Sequence, residues 1–399
     1  MTAAPAESQL LVDAVDSLRG AVAETSLPLP LAGRDQAEEN RIALLRQLDD
    51  YVLPRLRALD APLLAVVGGS TGAGKSTLVN SLVGAQVSRT GVIRPTTTRP
   101  VLVHHPDDAH WFADDRILPG LARVTGAETA EAQPGTVRLV RSTALPPGMA
   151  LLDAPDIDSV VQANREHAGQ LLAAADLWLF VTTAARYADA VPWDLLRTAS
   201  ERGTAVAIIL DRVPPEAVEE IRPHLVSMLR EQGLSTAPVF SIPESTLTTQ
   251  GHLPQEAMAR LKAWLDALAS DTRARSIVVS QTLRGAIASL GDRTSRLAEA
   301  AHEQRTAQDG LRRAIDEEFE RAHREVKDGM TDGTLLRGEV LARWQEFVGT
   351  GEFFRQVETT IGKWRDRLTA AVKGAPAPAT NLGEALQSGV AALVTSHGE

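Results

Sequence analysis

The chain has 399 residues, 23% of them charged and 44% hydrophobic, a composition that supports a packed core and excludes a disordered protein. A net charge of −10 argues against nucleic acid as a partner held by phosphate attraction. The absence of cysteine excludes disulfides and thiolate-bound zinc, and it fits a reducing, cytoplasmic compartment.

The N-terminus, MTAAPAESQLLVDAV, has neither the basic start nor the apolar core of a signal peptide. The most apolar stretch, Leu177 to Val181, is far shorter than the roughly 18 residues that a bilayer-spanning helix needs. A soluble chain is therefore expected. Its last apolar-periodic segment, Leu382 to Val394, lacks a stop signal, so the natural chain is expected to extend past Glu399.

Residues 1–60 read as helices. Leu11, Val15, Leu18 and Val22 recur at helical spacing, the LPLPLAG stretch breaks the pattern, and Ile42, Leu45, Asp49, Val52, Leu56 and Leu59 lie near a second stripe with a kink expected at Pro54. Such a pair cannot bury its own apolar faces and needs a partner.

Residues 61–269 alternate strand and helix, the pattern of a mainly parallel α/β sheet. The first strand, 62–67, runs into Gly68-Gly69-Ser70-Thr71-Gly72-Ala73-Gly74-Lys75-Ser76-Thr77, which has the GxxxxGK[ST] spacing from Gly69 to Ser76, and a helix is expected from Lys75 to about Val83. This is the grammar of a phosphate-binding loop. Glycines let backbone N–H groups crowd round a phosphate chain at a helix N-terminus. Lys75 would reach the β- and γ-phosphates, and the Ser76 hydroxyl would enter a Mg²⁺ shell. Further strands are expected at 101–103, 136–140, 149–152, 177–182, 205–210 and 238–241. Helices are expected at about 160–174, 193–202, 215–230 and 254–268.

The strand Met149 to Leu152 ends in Asp153-Ala154-Pro155-Asp156. An aspartate at that place can hold Mg²⁺ across from Ser76, and its plain alternative is a helix cap. The loop before the second strand contains Arg94-Pro95-Thr96-Thr97-Thr98-Arg99-Pro100. A threonine there can fold over a γ-phosphate and ligate Mg²⁺. His104, His105 and His110, near Asp107 and Asp108, suggest a metal site less well than an ordinary polar turn. Arg186-Tyr187, after the strand ending at Thr182, reads either as a nucleotide or partner contact or as cover for the sheet.

Residues 270–399 read as helix. Leu283, Ile287, Leu290, Thr294, Leu297, Ala301, Gln304, Gln308, Leu311 and Ile315 form a heptad-like seam weakened by Gly291 and Gly310. It suggests one long helix to about Met330, or two joined at a soft point, and the natural partner of the N-terminal pair. Aromatics from Trp344 to Trp364 suggest further helix packing, and Gly374 to Thr380 a linker.

KSTLVNSLVG after the loop, PTTTRP, DAPD and the helix–sheet–helix layout together resemble the translation-factor-related GTPases, and within them the bacterial dynamin-like proteins. The resemblance implies a P-loop G domain beside a helical bundle and binding of GTP with Mg²⁺ as cofactor, ATP not being excluded. It implies hydrolysis, dimerisation through the G domain, and a cytoplasmic location with peripheral membrane association. It selects Thr97 as the switch threonine, so that Lys75 and Thr97 are the candidate catalytic residues. Ser76, Thr97 and Asp153 are the candidate metal ligands, and Gly69 to Thr77 with Asp211 and Arg212 the candidate nucleotide contacts.

Three departures stand out. The family's DxxG motif has Asp156 in place of glycine, and Thr71 and Gly72 replace its usual P-loop glutamine and serine. Its [NT]KxD motif reads Asp211-Arg212-Val213-Pro214, so the guanine-pairing aspartate is Pro214. The alternative reading is a nucleotide-binding module that has lost hydrolysis.

Overall fold

The computed structural model describes residues 5–90, 99–126, 135–156 and 162–331. Thr97 and its neighbours, the aromatics from Trp344 to Trp364 and the 374–380 linker lie outside them. Two compact units are present, Met1–Ala301 and His302–Glu399.

The first unit begins with helices α1 (Pro5–Glu24), α2 (Arg34–Gln47) and α3 (Leu53–Arg57). Between α2 and α3 the chain makes a π-helical turn, Leu48–Val52, with the Leu53 N–H donating to the Leu48 carbonyl. Pro54 enters the first turn of α3, where its missing N–H costs nothing, so the expected kink takes the form of a widened turn just before it.

The sheet follows: β1 (Leu63–Gly69), β2 (Val101–His104), β3 (Ala122–Val124), β4 (Thr136–Arg141), β5 (Met149–Asp153), β6 (Leu177–Thr183), β7 (Ala205–Val213) and β8 (Val239–Pro243). Their spatial order is β3-β4-β2-β5-β1-β6-β7-β8. All pairs are parallel except β2 with β5, where Leu102 faces Leu152 in antiparallel register. Alternating strand and helix signals count the strands but do not give direction, and β3, only three residues long, carries too little pattern to be found.

Helices α4 (Lys75–Val83), α5 (Ala109–Phe112), α6 (Gln162–Ala173), α7 (Ala190–Glu201), α8 (Val218–Glu231) and α9 (Gln255–Ser270) interleave with the strands. Every residue of β1 is buried, as a central parallel strand with both faces covered requires. Its period of two divides the core. Leu63, Ala65 and Val67 pack with Leu78 and Val79 of α4 and with Met258, Leu261 and Leu265 of α9. Leu64 and Val66 pack with Leu171 and Leu172 of α6, Leu196 of α7 and Leu225 of α8.

Helix α10 (Thr272–Thr331) is continuous, and neither Gly291 nor Gly310 breaks it. Within the first unit, Leu283, Ala286, Leu290 and Leu297 join Val15 and Val22 of α1, Leu44 of α2, and Leu48 and Tyr51 in a third core. The orphan N-terminal stripe thus finds its partner, and the chain is an α/β P-loop fold with a helical bundle built from both ends of the sequence. The seam is shorter than its spacing suggests. Within the second unit Gln304 is buried, but Leu311 and Ile315 are each 53% exposed and Phe319 is 72% exposed, so the heptad positions from Leu311 on do not mark a buried stripe over the described part of the helix.

Candidate functional site

The carboxyl ends of β1, β5, β6 and β7 meet round the loop Ser70 to Gly74. Gly69 has φ of +148°, and a Cβ there would lie 2.0 Å from the Val181 carbonyl oxygen, so only glycine lets β1 leave the sheet beside β6. Gly74, with φ of +95°, sits where a Cβ would lie 2.6 Å from Asp211 Oδ2. These contacts make the loop close-fitting and turn its backbone inward over the start of α4.

Lys75 is 4% exposed. Its ammonium donates to the carbonyls of Gly69, at 2.8 Å, and Ser70, at 2.9 Å, which curls the side chain back over its own loop. Its third partner is the Asp156 carboxylate, in a buried ion pair. Asp156, which stands where the motif has glycine, thus lies on the lysine of the glycine-rich loop.

Asp153, at the end of β5, is fully buried. The Ser76 hydroxyl donates to its Oδ2 at 2.7 Å, and Ser88, in the loop after α4, donates to the same oxygen at 2.5 Å. Asp153 Oδ1 is buried without a partner, and so is Ser70 Oγ. Burial pushes the Asp153 carboxyl up, against the Ser88 and Ser76 bonds and the Lys75 charge. A buried carboxylate oxygen with no donor, on a carboxylate that a serine hydroxyl already meets, is a donor set of hard oxygens suited to Mg²⁺. Ser76 and Asp153 therefore fit the ion that the sequence calls for. Ser88 has no place in any phosphate-loop pattern; the signal that could have found it is Asn80, a polar residue on the inner face of α4.

Asp211 and Arg212 close the other side. The pairing of β7 with β8 shifts register between Leu210 and Val213, and Arg212 takes φ of +53°, a left-handed conformation costing about 1 kcal/mol for a side chain of this kind. The bulge aims both residues at the loop. The Arg212 guanidinium donates to the Gly72 carbonyl and lies 3.5 Å from Asp211 Oδ2. Burial pushes the Asp211 carboxyl up, with the Arg212 charge opposing it, and Asp211 Oδ1 is another unpartnered buried oxygen. Arg186 joins from the loop after β6, donating to the Thr71 carbonyl at 2.9 Å and to Asp189 at 2.8 Å. Tyr187 and Trp193 pack on the sheet instead.

Of the candidate residues, the loop, Lys75, Ser76, Asp153, Asp211 and Arg212 thus converge, while Thr97 lies outside the described residues. The histidines do not form a second centre. His104 stacks on Phe112 with ring centroids 5.3 Å apart, His105 caps the turn at Asp107, and no group of three His, Asp or Glu suited to a metal occurs among the described residues.

The sequence model described as the Dynamin family matches residues 64–213. No curated protein matches the chain. Among solved structures, an oligomerised bacterial dynamin pair, described as a mechanism for long-range sensing and tethering of membranes, is 12% identical with a TM-score of 0.40. That similarity covers 92% of this chain and 64% of the other, so the chain spans under two thirds of that relative's length. Era from Aquifex aeolicus bound to GDP and AlF4⁻ is 18% identical over 52% of this chain and 56% of its own, with a TM-score of 0.33. Toc33 from Arabidopsis thaliana with Mg²⁺ and GMPPNP is 15% identical over 63% of this chain and 94% of its own, with a TM-score of 0.34. Likenesses this distant carry no functional argument. The family match stands apart from them: it runs from β1 through β7 and takes in the whole site, so this segment of the chain is similar to the Dynamin family.

Proposed function

We propose that the chain is a Mg²⁺-dependent GTP-binding and GTP-hydrolysing switch whose nucleotide state is passed to the helical bundle. The observation that carries this reading is the convergence, at the carboxyl ends of the central strands, of the glycine loop, the buried Lys75 ammonium and the Ser76–Asp153 pair. In this reading the backbone N–H groups from Gly69 to Gly74 cradle the phosphates, and Lys75 exchanges Asp156 for the β- and γ-oxygens. Ser76 and Asp153 would hold the ion from the protein side, with Thr97 the further ligand that the sequence offers. Mg²⁺ bound there would supply neutralisation of charge on the leaving diphosphate. Arg212 lies along the base from its anchor on Gly72, with Asp211 beside it. Guanine preference is inferred from the resemblance to the Dynamin family rather than from a pairing aspartate, because Pro214 holds that position.

Three domains, 1–60, 61–269 and 270–399, belong to the same proposal, as do dimerisation through the G domain and peripheral attachment to the inner face of a membrane. Among the described residues no helix is long and apolar enough to cross a membrane.

The test is multiple-turnover phosphate release from GTP and from ATP with Mg²⁺, against Lys75→Ala. Release from GTP above the control supports the proposal. Binding without release would favour a second reading, a nucleotide-binding module without hydrolysis, for which the Asp156–Lys75 pair is the specific motive.

A further inference from the structure

The loop leaving α4 is built with unusual care for a connection. Asn80, wholly buried, accepts at Oδ1 from the N–H groups of Val87, at 2.9 Å, and Ser88, at 2.8 Å, and its Nδ2 donates to the Ser88 carbonyl at 2.7 Å. Gln86 donates to the same carbonyl at 3.1 Å, and the Arg138 guanidinium, from β4, donates to the Val87 carbonyl. Every main-chain group of Ser88 that can bond is therefore fixed, and the residue is 2% exposed. What this holds in place is one hydroxyl. Ser88 Oγ reaches Asp153 Oδ2 beside the Ser76 bond, while Oδ1 of the same carboxylate has no donor.

The two serines differ in what they can give. When Ser76 offers an oxygen lone pair to an ion, its proton can still reach Asp153. Ser88 belongs to no phosphate-loop pattern, and its described side-chain bond is to the carboxylate alone. Hydrogen-bond partners of metal-holding carboxylates fix the orientation of the ligand, and their loss lowers metal affinity by about 10- to 100-fold. We propose that Ser88, locked by Asn80, is a positioning residue of the Mg²⁺ site: its hydroxyl holds Asp153 through Oδ2 so that Oδ1 stays available to the ion. This rests on the nucleotide and Mg²⁺ reading above.

The experiment measures affinity of the full chain for a fluorescent mant-GTP probe, first in EDTA and then along a Mg²⁺ titration, with Mn²⁺ binding followed in parallel by electron paramagnetic resonance. Ser88→Ala should leave the EDTA affinity within about twofold, raise the half-saturating Mg²⁺ and Mn²⁺ concentrations about tenfold, and be rescued by Ser88→Thr. Should Ser88→Ala fail to fold, Ser88→Cys keeps the shape while weakening the donor, and the same shift is expected of it. An unchanged metal midpoint in the variant, with a responsive wild type, overturns the inference alone. So does an equal loss of affinity in EDTA and in Mg²⁺, because that is the mark of a merely structural hydroxyl. A wild-type chain that binds the probe without regard to Mg²⁺ brings down the functional reading and this inference together.

Discussion

Two buried ion pairs sit at opposite ends of the same sheet, and they are built to different standards. At the amino end of the strands, Arg55 of α3 meets Asp176, the residue before β6. The guanidinium donates to both carboxylate oxygens, at 2.9 and 2.5 Å, and to the carbonyls of Ala58, Ala61 and Pro62. The carboxylate also accepts from the Tyr51 hydroxyl at 3.1 Å and the Leu64 N–H at 2.8 Å. Burial pushes Asp176 up, and Arg55 leads the influences that pull it back. Every donor and acceptor has a use, and the result pins the bundle to the sheet. At the carboxyl end Lys75 meets Asp156 among the unpartnered oxygens of Ser70, Asp153 and Asp211. A buried charge pair stabilises only when its surroundings satisfy the remaining lone pairs and protons. The first pair meets that condition, and the second sits among oxygens that lack partners.

The sharpest way to break this comparison is to remove the satisfied pair. Arg55→Ala should cost about 3–5 kcal/mol, because it leaves Asp176 charged, buried and short of its main donor. Urea unfolding followed by tryptophan fluorescence, which reports on Trp178 in β6, would read it. A loss below about 1 kcal/mol, typical of surface pairs, would show that the staple is not what joins bundle to sheet.

At the other end the effect should appear in binding. Lys75→Ala is expected to weaken GTP about a hundredfold, or about 2.7 kcal/mol, the scale of losing a charge-assisted contact to phosphate. Asp156→Asn should move affinity the opposite way, about tenfold tighter, since the ammonium no longer has to give up a carboxylate to meet the phosphates. Isothermal titration with GTP and Mg²⁺ measures both. If Asp156→Asn weakened binding instead, the aspartate would be part of the grip rather than its rival.

The unequal legibility of the two ends has a physical cause. The glycine loop is local: the eight residues from Gly69 to Ser76 fix the turn, and the strand and helix around it are short-range patterns, so β1, the loop and α4 can be read from the chain. Asp153 was legible for the same reason, as an aspartate closing an apolar run. The staple was not. Arg55 and Asp176 lie 121 residues apart and each reads alone as a surface charge. The sequence marks Asp156 as a departure from the family's glycine, but its partner lies 81 residues away and only the fold supplies it. Ser88 falls between these cases, since Asn80 is a local clue whose meaning depends on the loop folding back against β5. The β7 bulge that turns Asp211 and Arg212 toward Gly72 leaves no periodic trace.

The satisfied end has one flaw, and it gives the smallest effect. Asp50, in the π-helical turn beside the staple, is pushed up to about 6, chiefly by burial and secondarily by Asp49, with the Gln170 hydrogen bond and the charges of Arg46 and Arg202 opposing the shift. Its Oδ2 has no partner, and Gln170 reaches Oδ1 only at 3.3 Å. The unfolded carboxyl titrates near 3.9. Between the two values the folded chain therefore binds more protons than the unfolded one, so stability falls as pH rises from about 4 to about 6 and stays lowered above that range. This is the reverse of the usual behaviour of a paired carboxylate. Asp50→Asn removes the titration, and so it should raise the melting temperature at pH 7 and flatten its dependence between pH 4 and 6, with little change at pH 4. The same substitution at Asp176 should lower the melting temperature at neutral pH, because there the carboxylate is held by donors that an amide cannot match. Scanning calorimetry of the two variants across that range sets the satisfied carboxylate against its unsatisfied neighbour. Equal shifts of the same sign would mean that hydrogen-bond satisfaction does not distinguish them.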